Sequence, residues 1–170
     1  MKKNIKIILG DICYPKSEAI IIPANTKGIM SKGIPFKINK DSLGSVYKEV
    51  KKTVASNDIK IGECFTTGPG RLIRRGLKKI YHAVIKRLQS DFTSIYIIEE
   101  SLEYALKEAI KDEMRSISIC GIGIEPGEMD KKSVAMVTWN VCNRFDSKIE
   151  IKIIDEDVYF INEMIKLSEE

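Results

Sequence analysis

Three side chains in this sequence have types and positions suited to binding or reacting with a small molecule. Asp11 and Asn25 each come just after an isoleucine-rich apolar run, and Lys86 ends a third apolar run. A carboxylate can accept a hydrogen bond from an exocyclic amine, and a carboxamide, which both donates and accepts, can hold a pair of hydroxyl groups. A lysine amine can form a Schiff base with an opened sugar. The alternative is that Asp11 and Asn25 only cap turns and that Lys86 is a surface lysine.

Two glycine-containing segments could hold an anionic group near these side chains. Gly33 and Ile34 follow the Asn25 run, and residues 121–128 connect an apolar run to a predicted helix. Glycine allows a ligand to approach the backbone closely, and successive N–H groups at a helix start attract phosphate. Glu125 adds negative charge to the second segment and Pro126 removes an N–H donor, so both oppose tight diphosphate binding.

Six strands and four helices are predicted to position these residues. Short apolar or alternating runs predict strands near Ile5–Leu9, Ala19–Pro23, Glu63–Thr67, Lys79–Ile85, Ser116–Cys120 and Ile149–Ile154. Helical patterns occur near Ser42–Ala55, Thr93–Asp112, Lys131–Arg144 and Asp157–Leu167. This alternation predicts an α/β fold, a three-layer α/β/α sandwich with a mixed sheet of about six strands. In such sheets ligands bind at the carboxyl ends of the strands.

Three local features refine this prediction. Ser42 and Asp157 are expected to be helix N-caps. The last predicted strand begins by alternating apolar and charged residues, which favours a strand that is buried on one side or lies near a sheet edge. His82 lies between apolar residues in a predicted strand, so we expect a structural rather than a catalytic role.

Composition favours one domain spanning residues 1–170. The 170-residue chain is 44% hydrophobic and 31% charged, which is ordinary for a globular domain. Its apolar runs are shorter than the ~18 residues that a membrane span needs, and no signal-peptide pattern opens the chain. We therefore expect a cytoplasmic protein without membrane contact. The four cysteines lack a Cys-x-x-Cys pair and there is one histidine, so neither a structural metal nor a cofactor is predicted.

The net charge of +4 leaves nucleic acid as a minor alternative. The dense basic cluster spans residues 71–79, and elsewhere the lysines are dispersed. Because exposed aromatic residues do not interleave with this cluster, a solvated loop is the favoured interpretation, and nucleic acid is not the expected partner.

The order of these motifs resembles the macrodomain family. The resemblance is based on four motifs, which are Gly10-Asp11-Ile12, Ala24-Asn25, His82-Ala83-Val84 in a predicted strand, and Gly121-Ile122-Gly123. The resemblance implies binding of ADP-ribose or a related nucleotide diphosphate-ribose. The alternative that it implies is an ADP-ribosyl hydrolase, which would remove ADP-ribose from modified proteins or process ADP-ribose phosphate. An ADP-ribosylated protein is then a further partner. Another nucleotide, an RNA end or no ligand remain as the other possibilities.

The resemblance also implies roles for individual residues. Asp11 and Ile12 correspond to the adenine-binding positions, and Asn25 to the position that contacts the distal ribose. The remaining ligand-binding positions correspond to Ala24, Gly33, Ile34, Gly123, Ile124, Glu125 and Gly127. Asn25 and Lys86 are the candidate catalytic residues, with Lys86 as a nucleophile. Pro35 stands where one hydrolase subgroup has its acidic residue, so turnover would have to proceed without that acid.

Overall fold

The computed structural model describes residues 4–170, which form one six-stranded sheet flanked by helices. The strands are β1 (Ile5–Leu9), β2 (Ala19–Asn25), β3 (Cys64–Thr67), β4 (Lys79–Lys86), β5 (Ser116–Ile119) and β6 (Glu150–Asp155). The helices are α1 (Gly33–Asp41), α2 (Ser45–Ser56), α3 (Ile95–Lys111), α4 (Lys131–Asn143) and α5 (Val158–Glu169), with a 3-10 helix at Gly70–Arg75. Each predicted strand lies within two residues of an observed one.

The strand order β1-β6-β5-β2-β4-β3 makes the sheet mixed. β3 runs antiparallel to β4, whereas the other neighbouring strands are parallel. Helices α3, α4 and α5 pack together in one outer layer, and α1 and α2 contact β2 and β3 in the other. This confirms the predicted three-layer α/β/α fold. The parallel strands also bring the ends that follow Leu9, Asn25, Lys86, Ile119 and Asp155 to the same edge of the sheet.

One helix was missing from the prediction, and one predicted N-cap was wrong. Helix α1 begins at Gly33, with Pro35 in its first turn, where proline needs no hydrogen-bonded N–H. The sequence analysis predicted no helix at Gly33-Ile34-Pro35, because glycine and proline are also typical of loops. Ser42 is the C-cap of α1 rather than the N-cap of α2, whose N-cap is Gly44 with a φ of 79°. Asp157 does cap α5, since its Oδ1 accepts from the N–H of Phe160 at 2.8 Å.

The predicted character of the last strand agrees with its place in the sheet. β6 lies between β5 and the edge strand β1. Ile151 and Ile153 are fully buried, while Lys152 between them is only half-buried. The alternating pattern therefore reflects a strand one position from the edge.

His82 is a structural residue in the centre of β4, as predicted. Its Nε2 lies 2.9 Å from Thr67 Oγ1, and its ring stacks on Phe65 with centroids 4.5 Å apart. Burial disfavours the charged imidazolium and lowers the pKa of His82 from 6.5 to about 3. A neutral, hydrogen-bonded imidazole thus belongs to the core.

The buried histidine predicts a specific loss of stability in acid. Because its pKa is lower in the folded than in the unfolded chain, its contribution is complete above pH 6.5 and is lost as the pH falls toward about 3. The slope from this one group should approach about 1.4 kcal/mol per pH unit. Urea unfolding between pH 7 and pH 5 measures it. The double variant Thr67→Val/His82→Phe, which removes both hydrogen-bonding partners, should show a shallower slope, and an unchanged slope would contradict this assignment.

The described residues also bear on membrane-spanning helices, on the state of the cysteines and on metal binding. None of the helices within residues 4–170 is both long and apolar enough to span a bilayer. All four cysteines, which lie at positions 13, 64, 120 and 142, are free thiols. Over the same residues no cluster of three or more His, Cys, Asp or Glu side chains could hold a metal ion.

Candidate functional site

A series of three cavities runs along the carboxyl ends of the parallel strands. The first, which we call the large cavity, has a volume of about 540 Å³. It is lined by Gly33 and Ile34 at the start of α1, Gly121 and Ile124 after β5, and Asp155 at the end of β6. Volumes of this order are typical of ligand sites.

The other two cavities continue from the large one toward β4. The narrow cavity, of about 30 Å³, is lined by Ala24, Asn25, Gly123 and Lys86, among others. The outer cavity, of about 380 Å³, is lined by Lys86 and by loop residues that include Phe92, Gly127, Glu128 and Met129. Together the three cavities form what we call the cleft.

Asp11 lies beside the large cavity, and its carboxylate pairs with Lys37 of α1, which lines that cavity. Its Oδ1 accepts from the N–H of Cys13 at 2.9 Å, and its Oδ2 lies 3.2 Å from Lys37 Nζ, which lines the cavity. Burial by itself raises the pKa of Asp11, but the Cys13 N–H and the Lys37 ammonium outweigh it and lower the pKa. Asp11 is therefore ionised. Ile12, by contrast, is 1% exposed and packs in the core.

Asn25 is almost fully buried and organises its own loop. Its Oδ1 accepts from the N–H groups of Lys27 and Ile29, each at 3.1 Å. Its Nδ2 donates to the Ile29 carbonyl at 3.0 Å and to Gln89 Oε1 at 3.4 Å. These four bonds occupy both donors and both lone pairs of the amide, so the side chain has a structural role here, and a ribose contact would have to replace one of them.

The loop after β5 is shaped by glycine and by a buried carboxylate. Gly123 has a φ of +91°, and a Cβ there would lie 2.7 Å from Ile98 Cδ1, so any other residue would strain the backbone and force the Ile98 side chain to move. The Gly121 N–H donates to Asp155 Oδ2 at 2.9 Å, and the Asp157 N–H donates to Asp155 Oδ1 at 2.9 Å. Asp155 thus joins this loop to the end of β6.

Lys86 and Glu128 form an ion pair between the narrow and outer cavities. Lys86 Nζ donates to Glu128 Oε1, and the lysine residue is 6% exposed. The pair connects the end of β4 to the loop after β5, although the two residues are 42 positions apart in the chain. An ion-paired lysine becomes a nucleophile only when its ammonium loses a proton, and the Glu128 carboxylate is the acceptor beside it.

The comparisons with known proteins agree with this geometry. Residues 21–138, more than half of the chain, match the family model described as Macro domain. The chain belongs to the Macro domain family. A protein of Aquifex aeolicus (strain VF5) is 26% identical over 155 residues, which make up 91% of this chain and 90% of that protein.

Solved macrodomain structures share the fold. The macrodomain of Mycobacterium tuberculosis DarG superposes with a TM-score of 0.79 at 19% identity, covering 90% of this chain and 98% of that one. A variant of the Oceanobacillus iheyensis macrodomain, determined with ADPR, has a TM-score of 0.82 at 17% identity, covering 96% and 93%. The Trypanosoma brucei macrodomain in complex with ADP-ribose has a TM-score of 0.78 at 14% identity, covering 97% and 69%.

In this macrodomain the predicted site residues gather at one edge of the sheet. Nine of the eleven line the cleft, and the other two, Asp11 and Ile12, lie in the loop beside it. The sequence indicated Glu128 as a residue that could assist Lys86, but it predicted no role for Lys37 or Asp155. The position of Asp155 at the end of a predicted strand was the one available signal. The contacts of Lys37 and Glu128 depend on packing between segments distant in the chain.

Proposed function

We propose that this macrodomain binds ADP-ribose or a closely related nucleotide in the cleft. The adenine end would lie beside Asp11 at the large cavity, and the distal ribose would extend toward Lys86. The observation that carries the proposal is the continuous series of cavities between these two ends, at the carboxyl ends of β1, β6, β5, β2 and β4. Related folds from Trypanosoma brucei and Oceanobacillus iheyensis were determined with ADP-ribose and ADPR, which supports the choice of ligand.

The backbone around the cleft suits the middle of such a ligand. Gly33 and Ile34 form the N-terminal end of α1, where free N–H groups and the helix dipole favour an anion. Gly123, Ile124 and Gly127 bring the loop after β5 to the other side of the cleft. We assign these five residues and Glu125 to the region of the phosphates, and Ile12, Ala24 and Asn25 to the two ends.

Isothermal titration calorimetry with three ligands tests this function. ADP-ribose should bind more tightly than AMP, because AMP lacks the part that would reach the narrow cavity. A short single-stranded RNA should give no binding heat, since we do not expect nucleic acid as a partner. Tighter binding of the RNA than of ADP-ribose would contradict the proposal.

A second candidate function is hydrolysis of ADP-ribose from a modified glutamate, and the Lys86–Glu128 pair favours it. Lys86 Nζ would form a bond to C1″ of the distal ribose while the bond from C1″ to the glutamate oxygen breaks and the carboxylate leaves. Glu128 is placed to take the proton that the amine loses. The C1″–O4″ bond then breaks as the Schiff base forms, with Glu128 returning its proton to O4″, and addition of water to C1″ releases ADP-ribose and restores the lysine.

We also propose the setting in which this activity would occur. Phe92 lines the outer cavity and is exposed, so its ring is free to contact a protein that is attached to the distal ribose. An ADP-ribosylated protein is therefore the proposed macromolecular partner. The four free thiols suit the reducing cytoplasm. One sheet extends through residues 5–155, and we propose that the chain functions as a single domain.

A further inference from the structure

Glu125 occupies the centre of the cleft. Among the described residues it is the one that lines the large, the narrow and the outer cavities alike. The two wider volumes, of about 540 and 380 Å³, and the narrow volume of about 30 Å³ thus meet at this side chain. A ligand that extends from Asp11 to Lys86 must therefore pass Glu125.

The Glu125 carboxylate lies against the first residue of α1. A Cβ atom at Gly33 would clash with both Oε1 and Cδ of Glu125, which shows how closely the carboxylate approaches this backbone. Gly33 begins a nine-residue helix whose N-terminal end carries partial positive charge. Glu125 thus places a negative charge beside this helix end within the cleft, although its carboxylate accepts no hydrogen bond from the N–H groups of Gly33 or Ile34.

Within residues 4–170 the Glu125 carboxylate makes no hydrogen bond or ion pair, although the backbone carbonyl of Glu125 accepts from the N–H of Glu128 at 2.9 Å. Of the basic residues that line the cleft, Lys86 pairs with Glu128, Lys37 with Asp11 and Glu156, and Lys131 with Asp157. Lys32, which precedes Gly33 and lines the narrow and outer cavities, makes no ion pair with Glu125 in the described part of the chain. Burial, together with the negative charges of Glu128 and Asp155, raises the pKa of Glu125. The carboxylate is therefore held in a cleft that favours loss of its charge.

We propose that Glu125 is a specificity-determining residue, whose carboxylate competes with a diphosphate for the N-terminal end of α1. This inference deepens the proposed function and rests on it. A ligand confined to the large cavity does not meet this competition. A ligand with a central diphosphate must displace the carboxylate or neutralise it, and its affinity is lowered accordingly.

The test compares Glu125→Gln with the unmodified protein, using ADP-ribose and adenosine as ligands. Glutamine keeps the size of the side chain and removes the charge. Because a like charge next to the diphosphate is lost, ADP-ribose should bind about tenfold or more tightly, while the affinity for adenosine should not change. Glu150→Gln is the matched control, since it removes one carboxylate at the start of β6, away from the cleft, and should leave both affinities unchanged.

The outcomes separate this proposal from the function on which it rests. If adenosine binds but Glu125→Gln leaves ADP-ribose affinity unchanged or weakens it, Glu125 does not compete with the diphosphate and the proposal is overturned. An equal gain of ADP-ribose affinity in Glu150→Gln would show that the effect comes from net charge, and this too would overturn the proposal. If neither ligand binds any of the proteins, the proposed function itself fails, and this inference fails with it.

Discussion

Replacement of Asp11 by alanine is expected to weaken ADP-ribose binding roughly 10- to 150-fold, the equivalent of about 1.5–3 kcal/mol for one hydrogen bond to a charged acceptor. Asp11 is ionised, because the Cys13 N–H and Lys37 stabilise its carboxylate against the effect of burial. It follows the end of β1 and lies beside the large cavity, so its carboxylate can accept from the adenine amino group. Isothermal titration calorimetry on the folded variant measures the loss.

Two controls separate recognition of adenine from damage to the loop. Asp11→Asn keeps an oxygen that can accept from the Cys13 N–H, so it should retain the loop while losing the charge. Ribose 5-phosphate, which lacks adenine, should bind the alanine variant and the unmodified protein equally. Unchanged ADP-ribose affinity in a variant with a normal unfolding midpoint would remove Asp11 from the adenine site.

Replacement of Lys86 by arginine is expected to abolish lysine-dependent release of ADP-ribose while preserving binding. Arginine can keep the ion pair with Glu128 but cannot form a Schiff base. A loss of release in this variant therefore reports the loss of the amine nucleophile and not the loss of the ion pair. The assay uses a peptide carrying mono-ADP-ribose on glutamate and sodium borohydride to reduce the imine. The unmodified protein should gain one reduced ADP-ribosyl group at Lys86, which is the mass of ADP-ribose less one water plus two hydrogens, and the variant should gain none.

Glu128→Gln provides the matched test of the proton acceptor. Loss of a positioned base typically lowers rates by about 10²–10⁴-fold, so turnover should fall strongly while the borohydride adduct still forms, only more slowly. Release that persists at the normal rate in Lys86→Arg would exclude the amine mechanism. Clear binding without release by the unmodified protein would identify a domain that binds ADP-ribose and does not cleave it.

The strands of this protein were predictable because their signal is local. Ile5–Leu9 was predicted with its observed bounds, since a short apolar run next to Gly-Asp specifies a strand and its end. The expectation that this strand is buried was wrong, because β1 lies at the edge of the sheet and is partly exposed. Helix α3 was predicted within two residues because Leu102, Ala105, Leu106 and Ala109 form one apolar face. Helix α1 was missed because glycine and proline in its first turn resemble a loop, and packing of Ile38 against the core decides the outcome.

The sequence by itself determined the α/β fold and the set of polar and glycine residues at the strand ends, because each depends on residues adjacent in the chain. Only the tertiary structure decided how those residues are paired. Lys86 meets Glu128, Asp11 meets Lys37, and Asp155 binds the Gly121 N–H. The tertiary structure also placed Glu125 against Gly33 in the centre of the cleft. These contacts join segments that are 26 to 92 residues apart, and no local pattern encodes which side chains the packing of the sheet will bring within bonding distance.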